Sequence, residues 1–182
     1  MLPRILMWIQ VAAIVLLCCS HQSCSIKLTL DSFEQTLGTD VMWLDLRVRK
    51  YNRTCSVING TIHILQEHNN DYRFDLDIFY SRLGNQQFNH MPIKLPSSGI
   101  CDLIEHMYAN YRDQMSIIVN GPVEGECPMR IREMYIFDTE FPTEVIPRAL
   151  IRNGLWKALV RCYLDEKEIM SYNVVLKASD DL

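Results

Sequence analysis

The fold is decided by residues Trp156–Leu176, which read WKALVRCYLDEKEIMSYNVVL. Two alternating runs flank the polar stretch Asp165–Glu168. The side chains expected on one face of the two runs are apolar: Trp156, Ala158, Val160, Cys162, Met170, Tyr172, Val174 and Leu176. Period-two alternation with one polar face is typical of half-buried antiparallel strands. The stretch therefore predicts a β-hairpin with a polar tip.

The same alternation extends outward to the rest of the chain. Further strands are predicted around Ile26–Leu30, Met42–Val48, Thr61–Leu65, Tyr72–Ile78 and Met134–Phe137. Turn chemistry separates the predicted strands at Asn59-Gly60, Gly84-Asn85, Asn120-Gly121-Pro122 and Asn153-Gly154. Only Cys101 to about Asp113 has helical spacing. These observations predict a mainly β protein, a β-sandwich or cup with one short helix.

The N-terminus has the features of an export signal. Arg4 precedes an apolar run from Ile5 to Cys19, which has the length of a signal-peptide core and falls short of a membrane span. We expect cleavage after Ser20, leaving residues 21–182 as a single secreted domain; an uncleaved anchor is the alternative. The net charge of −4, without any basic run, argues against nucleic acid and anionic membranes as partners.

The cysteines also fit an oxidising compartment. Seven are present, and two, at positions 18 and 19, belong to the predicted signal. Cys55, Cys101, Cys127 and Cys162 are expected to form two disulfides, for which three pairings are open. One of these pairings joins Cys101 with Cys127 and Cys55 with Cys162, and Cys24 is odd in all three. Two glycosylation triplets, at Asn52 and Asn59, are consistent with secretion.

No residue pattern indicates catalysis. The chain lacks a nucleophile elbow, a Walker loop and a His-Glu-x-x-His zinc motif. Asp75 and Asp77 share a strand face, as paired carboxylates of a glycosidase would, but their alternation with apolar residues favours a solvated sheet face. The histidines His63, His68, His90 and His106 are too scattered to predict a metal site. We therefore expect a protein that is not an enzyme and has no cofactor and no metal.

Rows of apolar side chains remain as the candidate functional feature. The predicted set is Tyr72, Phe74, Leu76, Ile78, Met134, Ile136, Trp156, Val160, Tyr172 and Val174. These rows could fill a solid core, or two splayed sheets could use them to line a cavity for an acyl chain. Each buried methylene of such a ligand would contribute roughly 0.8 kcal/mol. Periodicity alone fits both interpretations.

The region from Cys101 onward resembles a family of small secreted insect proteins. The residues that carry the resemblance are Cys101–Ile104, Asn120-Gly121, Cys127-Pro128, Met134–Phe137, Phe141-Pro142, Ile146-Pro147, Trp156–Arg161 and Tyr172–Leu176, with Asn59–Thr61 upstream. The family includes the chemosensory CheA and CheB proteins, which are similar to the ganglioside activator protein and to ML-type lipid-recognition domains. The stretch Pro147–Gly154 departs from the turn that many members carry.

The resemblance implies an immunoglobulin-like β-cup that holds a lipid, hydrocarbon or pheromone between its sheets. It further implies a role in chemosensory pheromone detection, with a sensory-neuron receptor or channel as a partner, and no enzymatic activity. The alternative interpretation of the sequence is a secreted protein–protein interaction module without a small-molecule ligand.

Overall fold

The computed structural model describes residues 26–53, 55–142, 146 and 150–180, and shows two packed β-sheets with a short helix at one end. The predicted signal peptide and Cys24 lie outside these residues. The elements are β1 (Ile26–Leu37), β2 (Met42–Lys50), β3 (Ser56–Ile64), β4 (Arg73–Ser81), β5 (Asn89–Lys94), β6 (Ser98–Gly99), α1 (Ile100–Asn110), α2 (Arg112–Ser116), β7 (Arg132–Glu140), β8 (Gly154–Leu164) and β9 (Lys167–Asp180). The predicted β-sandwich with a short helix is confirmed.

All strand pairs are antiparallel. The first sheet has the order β1-β9-β8-β4-β5, with the two-residue β6 also paired to β4, and the second sheet has the order β2-β3-β7. The predicted hairpin is β8–β9, and it closes with the pair Leu164–Lys167 around Asp165 and Glu166. Both turn residues have positive φ, 50° and 64°, as a tight two-residue hairpin turn requires.

The interior contains two separate groups of buried side chains. The first core lies at the helical end and includes Met42, Ile64 and Met170. The second core lies at the other end and includes Leu30 and Leu176, with Val48 and Ile58 packed against it. Met42 pairs with Ile64 and Val48 pairs with Ile58, so six residues of extended β2, about 20 Å at ~3.3 Å per residue, separate the two ends.

Helix α1 closes the sandwich over the first core. Its buried residues, Ile100 and Ile104, pack into that core. The side-chain oxygen of Asn70 accepts hydrogen bonds from the backbone N–H groups of Cys101 (2.9 Å) and Asp102 (3.3 Å), which stabilises the helix start from outside the helix. The predicted Cys101–Cys127 disulfide is present, with a Cα–Cα distance of 5.5 Å, and ties the helix to the segment before β7.

The sequence-based turn at Asn59-Gly60 is wrong, because both residues lie inside β3. Gly60 has φ 146°, and a Cβ at this position would overlap the carbonyl oxygen of Asp45 on the neighbouring strand. The β3–β7 register shifts between Ile58 and Gly60. The glycine therefore permits an irregularity inside a continuous strand instead of ending one.

Replacing Gly60 by alanine should destabilise the protein. The added methyl group would overlap backbone, and the residue would keep a φ that L-amino acids rarely adopt, which together should lower the free energy of unfolding by about 1–3 kcal/mol. Urea denaturation would measure this loss. Gly84 has φ 66° and open space around it, so Gly84→Ala is the matched control that carries backbone strain without a clash. Equal stability losses in the two variants would contradict the close approach at Gly60.

The predicted Cys55–Cys162 disulfide is also wrong, since both cysteines are free and buried. Cys162 packs in the first core with Ile64. Cys55 precedes β3, nine extended residues or about 30 Å from Ile64 at ~3.3 Å per residue. A disulfide needs Cα atoms within about 7 Å. The cysteine count could not reveal that the two thiols lie at opposite ends of the sandwich.

Candidate functional site

Between the two cores lies a band of aliphatic side chains that neither core covers. Leu76 and Ile78 on β4 pair with Val160 and Ala158 on β8, and all four remain half-buried. Ile136 on β7 is likewise half-buried and belongs to neither core. Aliphatic side chains on the facing sides of a solid sandwich are normally fully buried. We call the inward-facing, half-buried surface formed by this band the cleft.

The ten sequence-predicted cavity residues divide into two groups. Tyr72 and Met134 are buried in the first core, where they pack as ordinary core residues. The other eight are half-buried: Phe74, Leu76, Ile78, Ile136, Trp156, Val160, Tyr172 and Val174. Sequence reasoning missed Ala158 and the facing side chains of the second sheet, among them Leu46 and Ile62. Their alternation within predicted strands was the available signal.

One side of the sandwich is joined by Gln35 of β1. Its side-chain N–H donates to the carbonyl oxygen of Met42 (2.7 Å), and its side-chain oxygen accepts from the backbone N–H of Leu44 (2.8 Å). These bonds tie an edge strand of the first sheet to an edge strand of the second. On the opposite side, the edges are β5 and β7, and no hydrogen bond links them among the described residues. Among the described residues, the β5–β7 side is therefore not tied by hydrogen bonds as the β1–β2 side is.

The cleft carries no charge along its length. Between the Met42–Ile64 pair and the Val48–Ile58 pair, the strand positions that face it in the described part of the chain hold no Asp, Glu, Lys or Arg. Arg132 lies at the helical end, where its guanidinium forms an ion pair with Glu126 and donates to the carbonyl oxygen of Gly121 (3.0 Å). The pair closes that end without placing a free charge in the cleft.

The polar groups of the aromatic side chains around the cleft are nearly all satisfied. The Tyr80 hydroxyl donates to the carbonyl oxygen of Asn153 (2.6 Å), and the Trp156 indole N–H donates to that of Arg152 (2.8 Å). Tyr172 is different, because its hydroxyl makes no hydrogen bond among the described residues. Burial raises the pKa of its phenol to about 12, yet the side chain is only half-buried. Tyr172 thus packs against the first core without being fully buried.

The carboxylate pair considered in the sequence lies on the outer face of the first sheet. Asp77 forms an ion pair with Arg161 and contacts Nε2 of His90 at 3.1 Å. Asp75 lies opposite Arg161 across the strand pair. Within this network Asp75 Oδ1 and Arg161 Nε are buried without a hydrogen-bond partner. Both carboxylates nevertheless lie on the outer face, so they do not flank the cleft.

The histidines are separated from one another. The ring of His63 stacks on Trp43 at 4.7 Å, and its Nδ1 lies 3.3 Å from a Glu133 carboxylate oxygen. His68 is buried against Tyr72, and burial lowers its pKa. His106 lies on α1, where Asn110 donates to its backbone carbonyl oxygen (2.9 Å). In the part of the chain that the structure describes, no group of three or more metal-ligating side chains is present.

Two shallow surface depressions lie outside the cleft. One, of about 430 Å³, follows the chain from Tyr108 to Gln114, and the other, of about 460 Å³, lies on the outer face of the second sheet beside Arg47 and Asn59. Neither depression is lined by any of the ten predicted cavity residues. Both are open to solvent, so they offer no enclosed apolar surface.

The predicted glycosylation sites lie on the surface to different degrees. Asn52 is exposed, whereas Asn59 is half-buried and its side-chain N–H donates to Asp138 (2.9 Å). Glycosylation of either residue stays a prediction. Among the described residues, no helix has the length and hydrophobicity needed to span a bilayer.

Comparison with known proteins gives no family for this chain. No protein-family model matches it, and no curated protein matches it significantly. Function must therefore be argued from the cleft itself.

Proposed function

We propose that this protein is a secreted binding protein for a hydrophobic ligand such as a lipid, hydrocarbon or pheromone. The observation that carries the proposal is the half-buried aliphatic band formed by Leu76, Ile78, Ala158, Val160 and Ile136 between two separate cores. Water against such a surface is unfavourable, and a hydrocarbon chain would replace it at a gain of roughly 0.8 kcal/mol per buried methylene. The binding needs no polar catalytic chemistry.

The architecture supports a cleft that stays open. The first and second cores hold the sheets together at the two ends, and Gln35 joins them along one side. Collapse of the middle would require both ends to shift, because packed interiors resist local deformation. A ligand would enter on the β5–β7 side, where the two edges are not linked.

The proposed extracellular and chemosensory setting is based on the sequence. The predicted signal peptide and the disulfide are features of an exported protein. The resemblance to the chemosensory CheA and CheB proteins favours a role in pheromone detection, in which the carrier solubilises its ligand around sensory neurons and presents it to a receptor or channel.

The test is ligand binding by protein from a secretory host. Native mass spectrometry should show co-purified hydrophobic molecules, and the delipidated protein should take up diphenylhexatriene, an uncharged hydrocarbon probe. Val160→Phe should weaken uptake about tenfold or more by filling the cleft, since each methylene displaced into water forfeits roughly 0.8 kcal/mol.

The matched control for Val160→Phe is Val175→Phe. Val175 is half-buried on the outer face of the same sheet, opposite Lys157. This variant receives the same added ring and should bind the probe like the wild type. Ligand-free protein without probe uptake, or equal uptake by both variants, would contradict the carrier function.

The second candidate function is a secreted interaction module, and the outer face of the second sheet favours it. Trp43 and Phe137 are 44% and 64% exposed there, and the Phe137 ring stacks beside that of Tyr135 at 6.2 Å. Exposed aromatic side chains are enriched at protein–protein interfaces. Under this alternative, the double variant Trp43→Ala/Phe137→Ser would abolish partner capture, and the protein would carry no ligand.

A further inference from the structure

Tyr172 is a tyrosine on the inner face of the first sheet whose hydroxyl makes no hydrogen bond among the described residues. Tyr172 occupies the central strand β9, with Val160 as its register partner on β8 and Gln35 as its partner on β1. Its ring lies 5.6 Å from that of Phe33. The hydroxyl has no hydrogen-bond partner among the described residues, and it is not one of their fully buried unpartnered polar atoms, so it borders accessible space.

The neighbours of Tyr172 cannot satisfy this hydroxyl. Both ends of the Gln35 amide are engaged with backbone groups of β1 and β2, at Leu37, Met42 and Leu44. The Cys162 thiol is buried in the first core, and sulfur is a weak hydrogen-bonding partner. A phenol that borders open space and lacks a protein partner is therefore available to a ligand.

The charge distribution restricts what that ligand can be. In the described part of the chain, the cleft holds no cation that could neutralise a carboxylate, and Arg132 at the helical end is already paired with Glu126. Burying an unpaired charge costs far more than burying a neutral oxygen that accepts a hydrogen bond. The Tyr172 phenol itself stays protonated at neutral pH, so it can donate to a carbonyl or ester oxygen.

From these observations we infer that the ligand is a neutral hydrocarbon chain with one oxygen function, an ester, ketone or alcohol, which hydrogen-bonds the Tyr172 hydroxyl inside the cleft. The inference rests on the proposed carrier function. It assigns the tyrosine as a specificity-determining residue, and it excludes fatty-acid anions as the preferred cargo.

The test measures displacement of diphenylhexatriene by methyl decanoate, decanol and ionised decanoate at neutral pH. Wild-type protein should bind the ester and the alcohol at least about tenfold more tightly than decanoate, because the anion has no counter-charge. Tyr172→Phe should weaken methyl decanoate binding about threefold to tenfold, the effect of one hydrogen bond, and should keep probe uptake.

Tyr80→Phe is the matched control, since it removes the same atom from a tyrosine near the cleft whose hydroxyl is already bonded to Asn153. It should bind methyl decanoate like the wild type. Normal ester binding by Tyr172→Phe, or decanoate binding as tight as ester binding in the wild type, would overturn the inference while leaving the carrier function standing. If Tyr172→Phe fails to fold, the order of the three ligands on wild-type protein decides. Absence of probe uptake by wild-type protein would overturn both proposals.

Discussion

Cys101→Ser should lower the free energy of unfolding by about 3.5 kcal/mol and reduce the secreted yield. The disulfide spans a sequence separation of 26 residues, and a loop of this size gives about that value in the chain-entropy model. The bond also anchors the start of α1 over the first core, so its loss should loosen the helical end. Urea denaturation of the purified variant and quantification of medium from a secretory host would measure the two effects.

The redox state of the other cysteines provides an independent check on this prediction. Mass spectrometry of a non-reducing digest should show the Cys101–Cys127 linkage and free thiols at Cys55 and Cys162. Burial raises the pKa of the Cys162 thiol to about 12, so alkylation at neutral pH should label it only after denaturation. A linked Cys55–Cys162 peptide, or undiminished stability of Cys101→Ser, would refute this account of the disulfide.

Ile64→Ala should destabilise the protein by about 2–5 kcal/mol. Ile64 is 1% exposed and lies in the first core, where the two sheets and the helix meet. Truncation removes buried carbon atoms and leaves a cavity that close-packed neighbours fill only in part. Chemical denaturation of the variant would give the difference in the free energy of unfolding.

Leu83→Ala provides a matched comparison, because it deletes the same number of carbon atoms from an isomeric side chain. Leu83 is 75% exposed in the loop after β4, so its truncation should change stability by no more than about 0.5 kcal/mol. Similar losses in both variants would argue against the first core as the source of stability at the helical end.

Much of the fold could be predicted because alternation reports which strand positions share a face. The β8–β9 hairpin and its tip follow directly from the sequence, and so does α1, although the helix breaks at Tyr111 before α2. Strand β5 was not predicted, since Asn89–Lys94 is short and contains Pro92, which is tolerated only at a sheet edge. The turn predicted at Asn59-Gly60 was wrong because glycine permits both turns and strand irregularities.

The candidate site could be predicted only in part. Alternation placed all ten residues on the inner faces of the sheets, but it does not report what lies opposite. The same pattern therefore also selected Tyr72 and Met134, which are ordinary core residues. Tyr172 stands out because its hydroxyl has no partner among the described residues, whereas Gln35, Tyr80 and Trp156 bond to backbone carbonyl groups. The spacing of residues along the chain does not predict these hydrogen bonds.

The pairing of β1 with β9 has a consequence for biosynthesis. The register runs from Ile26–Asp180 to Leu37–Ser171, so β1 cannot pair until β9, well over a hundred residues further along the chain, has been translated. The β8–β9 hairpin is local and can form within microseconds once made, whereas contacts across some 150 residues close slowly. Until then β1 remains an unpaired apolar strand, the state most exposed to aggregation, and this interval is when a folding chaperone would protect the chain.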